Sequence, residues 1–84
     1  MGRNKVTIDD NQYIIFGFDA PCNGYFAEYN DTSKSEDMAL DEIGFMRGVN
    51  KNKVLDFLEK YKAIKLAKDQ VPAAFNNLCL DLPC

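Results

Sequence analysis

Two runs of alternating side chains, Gln12 to Phe18 and Tyr25 to Tyr29, flank a polar stretch rich in turn-forming residues. In the first run β-branched and aromatic residues crowd together, with Tyr13, Ile15 and Gly17 on one side and Ile14, Phe16 and Phe18 on the other. In the second, Tyr25, Ala27 and Tyr29 share a face and Phe26 and Glu28 point the opposite way. Between them, Asp19-Ala20-Pro21-Cys22-Asn23-Gly24 joins a carboxylate that accepts from nearby amides, a proline of fixed φ and an Asn-Gly pair. The pattern predicts a hairpin with a loop of about six residues. Gly17 marks a bulge or a close backbone approach. Lys5 to Asp9 alternates over a shorter span and ends at the turn-forming Asp10-Asn11, which predicts a first strand.

Beyond the hairpin the pattern breaks. Asn30 to Asp37 contains no apolar residue to offset the entropy of a fixed conformation, so a mobile surface loop is expected there. Met38 to Met46 regains apolar character without a period and is followed by Gly48, with Gly44 inside it. It reads as a packed irregular segment with a short strand near Ile43 to Met46. From Asn50 to Ala63, Val54, Phe57, Leu58, Tyr61 and Ile64 recur at helical spacing behind Asn50 or Asn52 as a cap. Continued further, this helix would project Lys65 among its apolar side chains, so its end is placed near Ala63 and Lys-Leu-Ala-Lys becomes a turn. Pro72 suits the first turn of a second, short helix, on which Val71, Phe75 and Leu78 share a face. The fold class is therefore α+β: a small antiparallel sheet of about three strands packed against one main helix, with a short C-terminal helix closing the core.

With 84 residues, the chain supports one domain, 1–84, and one modest core. A net charge of −3 hides an asymmetry: residues 1–50 carry four basic and nine acidic side chains, residues 51–84 six and four. Such an acidic pole repels phosphate and attracts cationic surfaces, which disfavours direct nucleic-acid binding. Three cysteines without a Cys-x-x-Cys, and no histidine, argue against a disulfide framework and a zinc site and point to a reducing cytoplasm. No apolar run approaches the roughly 18 residues of a membrane span, and Val6 stands where a myristoylation signal needs a hydroxyl.

The run Tyr-x-Ile-Phe-Gly-Phe-Asp-x-Pro-x-x-x-Tyr-Phe-Ala from Tyr13, followed after a polar loop by Ile-Gly-Phe and a helix, resembles a group of small uncharacterised bacterial and plasmid-borne proteins. Their signature is Tyr-Gly-Trp-Asp-x-Pro-Leu-x-x-Phe-Phe. The likeness spans Tyr13 to about Tyr61. Here Phe18 replaces the Trp, Cys22 replaces the Leu, and the aromatic pair falls one residue later. The resemblance implies a strand, loop, strand and helix order and no particular activity.

Candidate chemistry is sparse. Cys22 is the only thiol in a loop, but Asp19 beside it raises a thiol's pKa, the wrong direction for a nucleophile. The carboxylate pairs Asp9-Asp10, Glu36-Asp37 and Asp41-Glu42 lie in polar surroundings without an EF-hand spacing, and phosphate-binding and nucleophile-elbow motifs are absent. No cofactor is indicated. Tyr13, Tyr25 and Tyr29 on one sheet face would offer bases a stacking platform, the alternative function, but their charged neighbours are acidic. The leading expectation is a non-enzymatic protein-binding module, of the kind by which phages and plasmids inhibit a host defence or nucleic-acid-processing complex. Its surface would be Tyr25, Glu28, Tyr29 and Asp31, extended by Glu36, Asp37, Asp41 and Glu42, for a protein partner with a basic surface. An aromatic sheet face left open would imply a homodimer or a partner.

Overall fold

The computed structural model describes residues 3–34 and 38–82. Glu36 and Asp37, named above, lie outside the described residues. Four strands, β1 (Asn4–Thr7), β2 (Gln12–Asp19), β3 (Gly24–Asp31) and β4 (Asp41–Ile43), form an antiparallel sheet in the order β1-β2-β3-β4. Three helices follow: α1 (Lys51–Lys60), α2 (Ile64–Gln70) and α3 (Pro72–Cys79). The fold class is α+β; the short strand expected near Ile43 to Met46 lies at Asp41–Ile43, and there is one helix more than the sequence pattern predicts.

The first hairpin is set by Asp9, whose Oδ1 accepts from the N–H groups of Asn11 (2.8 Å) and Gln12 (2.7 Å). These two amides hold its carboxyl below the usual range. In the second hairpin the connection is Ala20–Asn23, tighter than the six residues expected, and Asn23 takes φ 54°, a left-handed value that Asn tolerates. The register pairs Phe18 with Tyr25, Phe16 with Ala27 and Ile14 with Tyr29, so these six side chains share one face.

That face is the one the helices cover. Val6, Ile14, Phe16, Tyr25 and Ala27 form one buried cluster with Val54, Phe57 and Leu58 of α1, Ala63, Ala67 of α2, and Phe75 and Leu78 of α3. Asn50 caps α1 through its Oδ1, which accepts from the Lys53 N–H at 3.1 Å. α1 ends at Lys60, and Tyr61 to Ala63 turn the chain, with Lys62 at φ 55°. Lys65-Leu66-Ala67-Lys68, expected as a turn, is thus the body of a separate helix whose Ala67 enters the core. The new start re-phases the helix, which leaves Lys65 exposed. Cys79 is the exposed last residue of α3.

The polar stretch after Tyr29 also differs from expectation. Asn30 and Asp31 belong to β3 and are 8% and 6% exposed. Asp31 Oδ1 accepts from the Ser33 N–H at 3.0 Å and from its hydroxyl at 2.5 Å, closing a turn in place of free chain.

Candidate functional site

The helix-free side of the sheet is built from the alternate residues of the same strands. Lys5 stands opposite Ile15, which in turn faces Glu28, and Glu28 faces Glu42. One step along, Gly17 pairs with Phe26. Arg3 lies over this row: its guanidinium carbon sits 5.7 Å from the centre of the Phe26 ring and its Nη2 donates to Glu28 Oε1 at 2.8 Å. Gly17 supplies no side chain to compete for that space. Lys5 Nζ likewise rests 4.5 Å from the Tyr13 ring centre. The two strand aromatics on this side, Phe26 and Tyr13, are each capped by a cation from the β1 segment.

Between β4 and α1 the chain leaves the sheet and returns. Ile43 pairs with Ala27 and Val49 bridges to Tyr25, so the five residues Gly44 to Gly48 stand opposite Phe26 alone. The excursion is pinned at both ends. Gly44 has φ +81°, and a Cβ there would fall 2.2 Å from the Tyr25 carbonyl oxygen. A Cβ on Gly48 would fall 2.4 Å from the Gly24 Cα, and its N–H donates to the Cys22 carbonyl at 3.0 Å. Tyr25 and Val49 exchange both backbone bonds, at 2.9 and 3.0 Å. The Cys22 thiol reaches the Phe45 carbonyl at 3.3 Å.

What the loop presents is apolar. Phe45 lays its ring against Phe26, centres 5.4 Å apart, yet stays 37% exposed. Met46 at the tip is 98% exposed, and Arg47 beside it is exposed as well. Arg3, Asp19, Phe26 and Phe45 line a recess of about 150 Å³ beneath the loop.

The residues expected to form an acidic, tyrosine-bearing surface are dispersed. Tyr25 is 4% exposed on the covered face, with its hydroxyl donating to the Leu82 carbonyl at 2.9 Å. Tyr29 is also on that face, stacked on Tyr61 with ring centres 4.1 Å apart and planes 8° from parallel. Its hydroxyl donates to Gln12 Oε1 at 2.6 Å. Tyr13 lies on the opposite side, so the three tyrosines do not make a platform. Asp41 Oδ2 accepts from Lys60 Nζ (2.8 Å) and the Tyr61 hydroxyl (2.7 Å), and Glu28 is engaged by Arg3. Of the residues named for that surface, Glu42 stands exposed on β4, whereas Asp31 is buried in its turn.

Several groups have displaced acidities. Lys60 first, then the Tyr61 hydroxyl, hold the Asp41 carboxyl down. Burial, then Asp41, pushes the Tyr61 phenol well up, and burial with Asp31 raises Tyr29. The Asp19 carboxylate, by hydrogen bonding and charge, pushes the Cys22 thiol up, so at neutral pH it is a protonated thiol tying down a loop. Among the described residues no group of three or more His, Cys, Asp or Glu is arranged to hold a metal ion. No described helix is long and apolar enough to cross a membrane.

Fold and site together define a small α+β protein with one sheet face under helices and, on the other, a glycine-pinned apolar loop. No protein-family model, curated protein or solved structure matches this chain. The loop's signal in the sequence is the pair Gly44 and Gly48 bracketing Phe45-Met46-Arg47, which hydrophobic periodicity cannot see.

Proposed function

We propose that this protein is a non-enzymatic protein-binding module whose anchor is the Gly44 to Gly48 loop. The observation that carries this reading is the exposure of Met46 on a loop fixed at both ends. A hydrophobic side chain carried on a backbone already fixed spares the cost of ordering the loop on binding, and methionine adapts its shape to the pocket it enters. Phe45 adds aromatic area beside it and Arg47 a cation, the composition of an interface centre with a polar rim. The carboxylates Glu28, Asp31 and Asp41 are engaged within the molecule, which favours this apolar anchor over an acidic recognition surface.

The test is site-specific photo-crosslinking in cells of the source organism, with the reactive group at position 46 and, as control, at the exposed Lys68 of α2. The reading expects a discrete adduct from position 46 that is absent from position 68 and suppressed in competition by unlabelled wild type but not by Met46→Asp. Identical adduct patterns from the two positions, or equal competition by the Asp variant, overturn it.

A further inference from the structure

The helix-free side of the sheet uses one device twice. Arg3 lies over the Phe26 ring and bonds the Glu28 carboxylate, and Lys5 lies over the Tyr13 ring. A third ring on this side, Phe45, has no cation over it among the described residues. Asp19, on the same side as Gly17 by the two-residue period of β2, forms no ion pair among them. Ring and carboxylate meet in the recess of about 150 Å³ beneath the loop, whose other walls are Arg3 and Phe26.

We propose that this recess receives a basic side chain, lysine or arginine, of the protein partner, its charged end set between the Phe45 ring and the Asp19 carboxylate. Charge selects the occupant. Arg3 is already offset by Glu28 at 2.8 Å, the Cys22 thiol beside Asp19 is protonated, and Arg47 and Glu42 do not line the recess. The unbalanced group is therefore Asp19. A partner seated on the Met46 loop covers the recess and takes that carboxylate out of water, which is costly unless the partner supplies a counter-charge. Size agrees, because the volume holds about five waters, enough for the end of a side chain and too little for a drug-sized ligand. The inference rests on the reading of the Gly44 to Gly48 loop as the anchor and adds what the partner must bring to it.

The test needs no partner, so its failure and the failure of the anchor reading are separate results: the first leaves the position-46 adduct standing, the second leaves the recess its ligand. Ring signals of Phe45 and Phe26 in the full chain are followed by NMR while N-acetyl-lysine methylamide, its arginine counterpart or the neutral norleucine counterpart is added at constant ionic strength. The proposal expects saturable shifts from a cationic probe and an affinity for the norleucine probe lower by about tenfold or more, the ordinary contribution of a bond to a charged group. Asp19→Asn keeps the shape of the side chain and should abolish that difference. The comparison of probes on wild type stands even if the variant folds poorly. No saturable shift from either cationic probe, equal affinity for the norleucine probe, or a difference that persists in a folded Asp19→Asn overturns the proposal. So do shifts that appear only in Arg47→Gln, which would assign the recess to the chain's own Arg47.

Discussion

At the scale of single residues, the densest polar chemistry is the junction of Asp41, Lys60 and Tyr61, capped by the stacked Tyr29. Its carboxylate is partly exposed, so the ion pair itself is weak, and the Tyr61 hydroxyl bond carries most of the junction's contribution. Asp41→Asn should cost about 1 kcal/mol at neutral pH, the ordinary net value of a hydrogen bond, read by urea unfolding. Because the folded Asp41 carboxyl is held below its unfolded range, its stabilisation is present above about pH 4. It is lost as pH falls through the lower folded value, and the gap between wild type and variant should close there. The phenol of Tyr61 behaves in the opposite sense. Raised in the fold, it stabilises fully below about pH 10, where an unfolded tyrosine begins to ionise, and that stabilisation fades as pH climbs further. Tyr61→Phe should therefore lose about 1 kcal/mol near neutrality yet decline less steeply in alkali than wild type. None of this junction is legible in the sequence, where Asp41 is one of many acids and its partners come from β3 and from the end of α1. Asp31 shows the same blindness: its side chain looks like a free surface acid until the strand is seen to run through it.

At the scale of elements, the period-two alternation of β2 and β3 and the helical spacing of Val54, Phe57 and Leu58 were readable because each is a local pattern repeated several times. Which hairpin face would be covered was not. Both carry aromatics, and only the docking of the helices, a long-range event, assigns Tyr25 and Tyr29 to the core side and Phe26 to the other. The split between α1 and α2 escaped for a related reason: left-handed Lys62 restarts the helical phase, and a continuous wheel cannot represent a restart. The Gly44 to Gly48 loop makes the strongest prediction at this scale. Gly44→Ala must move a Cβ out of the Tyr25 carbonyl at a φ that L residues rarely adopt, an expected loss of about 1–3 kcal/mol. The damage should be local first. Amide exchange at Val49 and Gly48 should rise while α1 keeps its protection, and the position-46 adduct of the wild-type loop should be lost. Full retention of both stability and loop protection in Gly44→Ala would show that the loop is not pinned as described.

At the scale of the whole molecule, none of the described helices is long enough to stand alone: α1 has ten residues, α2 seven and α3 eight. Isolated helices of this length are marginal in water, so each depends on the apolar sheet face it covers. The sheet depends equally on them, since Ile14 and Phe16 have no other shelter. This mutual dependence makes unfolding cooperative, and Leu78 tests it best because it sits on the last helix in the chain, where independent fraying would show most readily. Its side chain is fully buried within the same cluster as Val6 on the opposite edge strand. Leu78→Ala should cost about 2–5 kcal/mol, a large share of the roughly 4–12 kcal/mol expected for a chain of this size. If the molecule is one cooperative unit, amide protection in β1 and β2 falls by the same amount as in α3, and a single denaturant transition moves to lower midpoint with its slope unchanged. A loss confined to α3, with the hairpin still protected, would instead make that helix a detachable cover. Tyr25, whose hydroxyl holds the Leu82 carbonyl, would then be uncovered from the same side, giving the protein a second aromatic surface on demand.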